Sequence, residues 1–396
     1  TRFYKYKIKK RLMKAICSPN ILLLTYHLIK LSKLIIKNNE NKFKEYKNKE
    51  KNLTYIQLAK ELTSLKKTEE YIWLNDCVNQ CLQQSLRNLD NAYTNFFKVK
   101  KGFPKFKSKK KSKEVCKFIN NVHFNFEKFK VKIPKIGWVK LCQNKSFDLS
   151  SCKLGTLTVY KDRCGEYWIT ILVEDNKPCP SKTKIDRNTA VGIDLGIKDY
   201  AILSDGTKYG NPKFLEKGQI RLKRLQKHFS KTQKDSNRHE RLRLKINKLY
   251  RKIKNRREHF LHDLSSLLVN NFDTICLENL NVQGMLKNHK LANSIQSCAW
   301  SEFVRQLSYK CEWKGKNLIF IGRFEPSTKT CSCCGFVNRD ITLDVREWTC
   351  PKCGTQHDRD INAAINIRDF GLHLQSPIAL ENKIPEMTGV TKNGEG

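Results

Sequence analysis

Four cysteines arranged as two Cys-x2-Cys pairs constrain the fold of this chain more than any other feature of its sequence. The pairs are Cys331/Cys334 and Cys350/Cys353, with fifteen residues between them and a glycine after each. Two sulfurs at this spacing bind one metal in a tight turn, and four thiolates satisfy tetrahedral zinc without an open position. We therefore expect one structural zinc ion in a ribbon. The alternatives are thiols without metal, or a slip of the pairing onto the extra thiol Cys333.

The net charge limits the partners of the chain. It is +39 at pH 7, from 77 Lys and Arg against 38 Asp and Glu. Because such a surplus repels itself, we expect a polyanionic partner, and nucleic acid before membrane. The longest apolar stretch, residues 21–36, is interrupted by His27, Lys30 and Lys33 and is too short and polar to span a bilayer.

The cysteines also indicate the cellular compartment of the protein. The N-terminal residues are basic but lack the continuous apolar core of a signal peptide. The 16 cysteines therefore indicate a reducing cytoplasm and not a disulfide-bonded secreted protein. We expect a cytoplasmic protein, nucleoid-associated in a prokaryote, that does not bind membranes.

Hydrophobic periodicity predicts an α+β protein with several domains. Apolar residues at helical spacing predict a helix over 72–97, and alternation predicts strands over 117–174, which fit a small β-barrel. After a polar linker, heptad-like spacing over 215–269 predicts a helical hairpin that turns near 235–237. The other predicted elements are strands within 190–212, 272–279 and 317–324, and helices over 295–314 and 355–370.

Acidic residues at the ends of apolar segments are candidates for catalysis. Asp194 lies in VGIDLG, Glu278 in TICLEN, and Asp358 and Asp360 in HDRDINAAIN. Each alone has an ordinary explanation: a turn at Asp194, a surface strand end at Glu278, a helix N-cap at Asp360. Burying a carboxylate is costly unless it is paired or binds a metal. Three acids that each lie beside an apolar segment are therefore less expected to occur by coincidence. A strand-borne Asp, a strand-end Glu and a helix-start Asp can converge on two Mg²⁺ ions for phosphodiester chemistry.

Three segments are candidates for nucleic-acid contact. Residues 98–113 hold nine lysines with phenylalanines between them, which suits backbone contact and base stacking. The helical hairpin has 17 Lys and Arg against 4 Asp and Glu between 215 and 260, and glutamines on the helix over 72–97 can read adenine edges. The alternatives are a solvated loop, a solvent-exposed coiled coil and surface glutamines without function. The candidate residues are Gln80, Gln83, Gln84, Arg87, Lys105, Phe106, Lys107, Lys109, Arg224, Arg241 and Arg256.

Several of these segments resemble the motifs of TnpB, the compact RuvC-type nucleases of insertion sequences that are related to miniature type V CRISPR effectors. The motifs are VGIDLGIKDYAILSDG, CLENLNVQGMLKNHKLANSI, EPSTKTCSCCG and REWTCPKCGTQHDRDINAAINI, with WLNDCVNQCLQQSLRNLDNAYTNFF and GFPKFKSKK upstream. The resemblance covers roughly residues 70–370. The chain departs from the family at residues 1–60 and at Glu325, where an aromatic residue is more usual.

The resemblance implies a multidomain α+β fold. A wedge β-barrel with a helical recognition insert would precede an RNase H-like (RuvC) α/β domain with a zinc-ribbon insert. The implied domains are the wedge (1–20 and 115–176), helical recognition domain (21–114), linker (177–189), RuvC nuclease (190–325 and 355–371), target-nucleic-acid-binding zinc ribbon (326–354) and flexible tail (372–396).

The resemblance also implies an RNA-guided DNA endonuclease. Its guide would be an ωRNA, and the protein would read a short motif beside the target. Asp194, Glu278 and Asp360 would be the catalytic residues and magnesium ligands, with Asp358 the competitor for the last position. The expected cofactors are two catalytic Mg²⁺, one structural Zn²⁺ and the guide RNA. The expected partners are guide RNA and double-stranded target DNA, in a monomeric ribonucleoprotein or, as the alternative, a dimer.

Three other functions are consistent with parts of this pattern. A type V CRISPR effector of the same fold would use a crRNA and the same chemistry. A non-cleaving RNA-guided DNA-binding repressor would not need the catalytic acids to be intact. A conventional transposase that joins DNA ends could use the same two-metal carboxylate chemistry.

Overall fold

Two compact units make up the chain, residues 1–177 and residues 178–396. The computed structural model describes residues 2–7, 55–99, 102, 115–119, 123–142, 152–175, 178–342 and 345–373. None of the helices within these ranges combines the length and the hydrophobicity of a membrane span. The finer domain boundaries implied by the sequence stay predictions.

The first unit combines two antiparallel sheets with helices. The elements of this unit are β1 (Arg2–Lys7), α1 (Tyr55–Leu65), a 3₁₀ helix (Glu69–Asp76), α2 (Asn79–Val99), β2 (Val115–Phe118), β3 (His123–Asn125), β4 (Lys130–Ile133), β5 (Gly137–Lys140), β6 (Lys153–Lys161) and β7 (Tyr167–Glu174). The larger sheet has the strand order β1-β7-β6-β2, and β3, β4 and β5 form the smaller one.

Alternating side chains build the core of this unit. Ile169, Ile171 and Val173 of β7 are buried and share one apolar cluster with Leu82 and Leu86 of α2. The predicted alternation is confirmed in the described residues. The helix predicted over 72–97 is interrupted, because Cys77 adopts extended backbone angles (φ −79°, ψ 148°) that separate the 3₁₀ helix from α2.

The second unit is built on a five-stranded mixed sheet. The elements are β8 (Ala190–Asp194), β9 (Asp199–Leu203), β10 (Lys208–Gly210), α3 (Phe214–Ser230), α4 (Asn237–Asn271), β11 (Thr274–Glu278), α5 (Val282–Met285), α6 (Ala292–Cys298), α7 (Trp300–Lys314), β12 (Asn317–Ile321), β13 (Glu347–Thr349), β14 (Gln356–Asp358) and α8 (Arg359–His373). The strand order in the sheet is β10-β9-β8-β11-β12. Strands β8, β11 and β12 are parallel, whereas β9 and β10 are antiparallel to their neighbours.

Helices cover both faces of this sheet. Ile275 and Leu277 of β11 pack with α4 and α7 in one cluster, whereas Cys276 between them packs with Ile367 of α8. Successive side chains of a strand point to opposite faces, so the central residues of β11, which are covered on both sides, must all be apolar. This explains the uninterrupted apolar run ICL before the acid Glu278.

The helical hairpin predicted over 215–269 is confirmed as α3 and α4, joined by a turn at 231–236. Ser236 caps α4 by accepting the backbone N–H of His239 at 3.1 Å. The helix predicted over 295–314 is divided, because Ala299 adopts a left-handed conformation (φ 54°) between α6 and α7. The helix predicted over 355–370 begins later, because residues 356–358 pair with β13 as β14.

A close approach between helix and strand fixes the position of α8. A Cβ atom on Gly192 of β8 would lie 2.0 Å from the carbonyl oxygen of Ala364, and one on Gly371 would lie 2.6 Å from the sulfur of Cys276. Only glycine lets the α8 backbone lie this close to the sheet. The first turn of α8 is thereby held at the carboxyl end of β8.

Candidate active site

Two acids lie side by side at one edge of the central sheet. Asp194 is the last residue of β8 and Glu278 is the last residue of β11. The two strands are parallel neighbours, and Ile193 pairs in register with Leu277, so the acids follow at the next position. Polar side chains at the carboxyl ends of adjacent parallel strands face a common crevice, which is where ligands bind in open α/β sheets.

The third predicted acid joins them from the helix. Asp360 lies in the first turn of α8, which Gly192 holds against β8. Burial raises the pKa of Asp194 to about 7, and the negative charges of Glu278 and Asp360 add to this rise, while Arg359 opposes it. Mutual repulsion of this kind requires that the carboxyl groups lie near one another. The three acids on which the sequence prediction rests therefore lie close enough for their charges to interact.

The competing acid Asp358 has a different environment. Its carboxylate accepts the backbone N–H groups of Asp360 at 3.0 Å and of Ile361 at 3.1 Å, so Asp358 caps α8. It also forms an ion pair with Lys208 at 2.6 Å. The N-cap explanation that the sequence left open for Asp360 thus belongs to Asp358, and Asp360 is the acid that interacts with Asp194.

Three contacts at this site involve residues that the sequence prediction missed. The hydroxyl of Ser327 donates to the carboxylate of Glu278. Arg346 and Arg359 form ion pairs with Asp360, at 2.9 Å and 2.8 Å. Only Arg359 had a signal in the sequence, since it separates the two acids of HDRD. Ser327 and Arg346 come from the segment between β12 and α8, whose path over the site could not be deduced from spacing.

The four predicted cysteines form a second cluster. Their sulfur atoms lie within 4.8 Å of one another, with Cys331 3.7 Å from Cys353 and Cys334 3.6 Å from Cys350. In the described part of the chain this is the one group of three or more potential ligands gathered so closely. Disulfide sulfurs would lie about 2 Å apart, whereas tetrahedral Zn–S bonds of about 2.3 Å place sulfurs about 3.8 Å apart. The donor set and spacing fit one zinc ion.

The cysteine cluster is tied to the helix that carries Asp360. Buried Asn362 accepts the backbone N–H of Ser332 at 2.9 Å and donates to the carbonyl of Thr330 at 2.7 Å. Buried Asn366, one turn later, donates to the carbonyls of Ser327 at 2.7 Å and of Thr330 at 2.6 Å. We call these two residues the asparagine clamp. The motif INAAIN thus places two buried, hydrogen-bonded amides on one face of α8, a role for which the sequence has no distinct signal.

The predicted nucleic-acid contacts fall on α2 of the first unit, on the α3–α4 hairpin of the second unit, and on a segment outside the described residues. Gln80, Gln83, Gln84 and Arg87 follow one side of α2, where Gln84 donates to Asn88 at 2.9 Å and Arg87 lies over the ring of Tyr55. Arg224, Arg241 and Arg256 are exposed on the α3–α4 hairpin. Lys105, Phe106, Lys107 and Lys109 lie outside the described residues.

Comparison with known proteins identifies the family. A family profile described as "Probable transposase" matches residues 170–289, and one described as "Cas12f1-like, TNB domain" matches residues 300–367. A "Putative RNA-guided DNA endonuclease" of Streptomyces pristinaespiralis is 37% identical over 340 residues, covering 84% of this chain and 81% of that protein. The chain belongs to the TnpB family.

Further similarities agree with this TnpB assignment. The "Putative RNA-guided DNA endonuclease InsQ" of Escherichia coli (strain K12) is 30% identical over 336 residues, which cover 81% of this chain and 81% of that protein. A cryo-EM structure of Cas12f1 with sgRNA and target DNA matches with a TM-score of 0.53 at 15% identity, over 88% of this chain and 81% of that one. This likeness concerns the fold alone, and the TnpB-family chain has a Cas12-like multidomain α+β fold.

Proposed function

We propose that this chain is an RNA-guided DNA endonuclease that cuts its target at the site formed by Asp194, Glu278 and Asp360. The observation that carries the proposal is the convergence of three carboxylates, from β8, β11 and α8, in a chain that belongs to the TnpB family. The function of the named relatives supports the same reaction class.

The three acids are proposed to hold two Mg²⁺ ions. Carboxylate oxygens are the ligands that Mg²⁺ prefers, and the repulsion that raises the pKa of Asp194 is the electrostatic environment that a cation would relieve. When bound, the ions supply an activated water and charge stabilisation at the leaving oxygen of a phosphodiester. Ser327 orients the Glu278 carboxylate through its hydrogen bond, and Arg346 and Arg359 neutralise Asp360.

The finer architecture is also a proposal. The second unit would be an RNase H-like RuvC nuclease, because its acids stand at the carboxyl ends of adjacent strands and on a helix packed against them. Residues 326–354 would be a zinc ribbon inserted before α8, held by Cys331, Cys334, Cys350 and Cys353. The sheets of the first unit would form the wedge barrel, with α1 and α2 in the recognition domain.

The nucleic-acid partners would be a guide RNA, of the ωRNA type, and double-stranded target DNA. Arg224, Arg241 and Arg256 are exposed on a basic hairpin and would contact phosphates. The flanking motif would be read by the α2 residues Gln80, Gln83, Gln84 and Arg87. A nucleic-acid strand would be contacted by the lysine-rich segment that contains Lys105, Phe106, Lys107 and Lys109. The surplus of 39 positive charges is of the same order as the roughly 40 phosphates of a 20-base-pair guide–target duplex.

A set of matched variants tests the acids. In the ribonucleoprotein with its copurified RNA, Asp194→Ala, Glu278→Ala and Asp360→Asn should each abolish cutting of target DNA and leave RNA binding intact. Asp358→Asn is the control, because asparagine caps helices as well as aspartate does and should keep cutting measurable. Full cutting by the Asp194 and Glu278 variants would contradict the assignment.

Sequencing the RNA that copurifies with the chain distinguishes the related functions. Transcripts from the element that encodes the protein support an ωRNA, whereas repeat–spacer RNA would indicate a CRISPR effector. Target binding without any cutting by the wild-type complex in Mg²⁺ would indicate a repressor. Strand-transfer products without a guide RNA would indicate a transposase.

A further inference from the structure

A short loop beside the candidate site presents an unusually exposed aromatic ring. Residues 322–326 connect β12 to the cysteine segment, and all five are exposed. Phe324 at the centre of this loop is 93% exposed. Among large apolar side chains of the described residues, the next most exposed is Ile220, at 74%. A phenylalanine that gains almost nothing from burial in the folded chain is available to a ligand.

Both ends of the loop are anchored at Glu278. Buried Ile321, just before the loop, pairs in register with Glu278 across the parallel strands β12 and β11. Buried Ser327, just after the loop, donates its hydroxyl to the Glu278 carboxylate, and its carbonyl accepts the amide of Asn366. Phe324 is three residues from each anchor, so its backbone cannot lie more than about 10 Å along the chain from either of them.

The loop is also internally fixed, and it carries one exposed cation, Arg323, and one exposed anion, Glu325, on either side of Phe324. Ser327 donates its backbone N–H to the carbonyl of Glu325 at 2.8 Å, and Pro326 accepts the N–H groups of Lys329 at 3.1 Å and Thr330 at 3.0 Å. Arg323, next to Phe324, is exposed. An exposed aromatic ring beside a cation suits an unpaired nucleobase, which stacks on the ring while its phosphate meets the cation.

We propose that Phe324 stacks on an unpaired base of the DNA strand that enters the candidate site and so positions the neighbouring phosphodiester against Glu278. This inference rests on the proposed nuclease function, since it names a contact of the same site. Stacking on an aromatic side chain tolerates any base, because every base has a π face. Phe324 would thus hold the strand without selecting its sequence.

Fluorescence of 2-aminopurine, a base that is quenched when stacked, tests the contact. The probe is placed at successive positions of each strand of target DNA, one position at a time, and bound to the guide RNA complex of the Asp194→Ala variant. We expect quenching at one or two positions near the cut, and its loss on adding Phe324→Ala. Phe324→Trp should keep the quenching. Phe320→Ala is the matched control, because Phe320 is four residues earlier and 41% exposed.

Single-turnover cutting supplies the second measurement. In the chain with intact acids, Phe324→Ala should slow cutting about tenfold at saturating DNA, whereas Phe324→Trp stays within about threefold of wild type. Unchanged fluorescence at every position and wild-type cutting in the Phe324→Ala variant would overturn the proposal. If the wild-type complex does not cut, the nuclease function fails. The fluorescence measurement still tests Phe324, because it uses uncut DNA and can be repeated with a single-stranded oligonucleotide.

Discussion

At the scale of single residues, two acids two positions apart have different roles because of the groups around them. Asp358 is neutralised by Lys208 and satisfied by two backbone N–H groups, so its oxygens are occupied in holding the start of α8. Asp360 lies toward Asp194, and its countercharges are arginines. The sequence identified both acids as candidates. It could not separate them from spacing alone, because the strand β14 and the partner Lys208, 150 residues away, decide the geometry.

Gly192 tests whether the approach of α8 to β8 is required. In Gly192→Ala the new methyl group would lie 2.0 Å from the Ala364 carbonyl, so α8 must move or the second unit must lose stability. Overpacking costs typically about 1–3 kcal/mol, and we expect a lower thermal midpoint together with at least tenfold slower cutting. Gly210→Ala is the control, since a Cβ there has no atom within 4 Å. An unchanged midpoint and rate for Gly192→Ala would show that the helix is not held in this way.

Lys310 makes the free energy of unfolding depend on pH. Its ammonium donates to the Ser265 and Ser266 hydroxyls and to the His262 carbonyl, and burial lowers its pKa to about 8 from the usual 10.5. Between pH 8 and 10.5 the unfolded chain therefore binds more protons than the folded chain, so the free energy of unfolding rises with pH.

The variant Lys310→Met should lack this rise. The difference in free energy of unfolding between wild type and variant, from urea titrations at pH 7.5 and 10, should thus grow in favour of wild type at the higher pH. Lys314→Arg, one turn further along α7 at an exposed position, keeps the positive charge that acts on Lys310 and should retain the rise seen in the wild-type chain.

At the scale of elements, the asparagine clamp joins the cysteine cluster to the acid-bearing helix. Asn362 and Asn366 bind the backbone at residues 327–332, and Arg346 from the same segment contacts Asp360. The positions of the strands and helices around this segment were largely predictable, because apolar periodicity and the terminal acids are local signals. The asparagine clamp was not predictable, because the sequence alone does not distinguish a buried asparagine from an exposed one.

Loss of zinc should therefore reduce cutting as well as stability. A chelator stronger than the site, followed by excess Mg²⁺, should release about one zinc per chain and slow cutting at least tenfold, because the segment carrying Ser327 and Arg346 loses its anchor. Restoring zinc should restore the rate. Cys350→Ser should show the same loss, whereas Cys333→Ser should not, since Cys333 is outside the cluster. Normal cutting by a zinc-free chain would contradict the coupling.

At the scale of the whole molecule, the sequence predicts the net charge directly but does not show which charged side chains are exposed and unpaired. The fold places Arg224, Arg241 and Arg256 on exposed helix surfaces, whereas other arginines are already paired. Arg243, for example, is bound by Glu240 at 2.7 Å. The net charge therefore overstates the number of cations available to nucleic acid, and only three-dimensional contacts distinguish the two classes.

Salt dependence measures how many of these cations are used. Replacing Arg224, Arg241 and Arg256 together by glutamine should lower the slope of log affinity for the guide RNA against log salt by about 2. Arg243→Gln on the same helix should change it less, because Glu240 competes for that guanidinium. Equal slopes for wild type and the triple variant would exclude the hairpin from RNA binding.

The asparagine clamp determines which parts of the chain can vary in sequence during evolution or in protein design. It closes the cysteine segment at its base, where residues 327–332 and the start of α8 are bound to each other. The closed base separates the acids from the exposed outer residues of the segment. Exposed positions between Cys334 and Arg346 can therefore vary without shifting the acids, whereas the four cysteines, Arg346 and β13 must be kept, because they hold the segment, contact Asp360 and pair with β14. The outer part of the segment can thus diversify while the cutting chemistry is preserved.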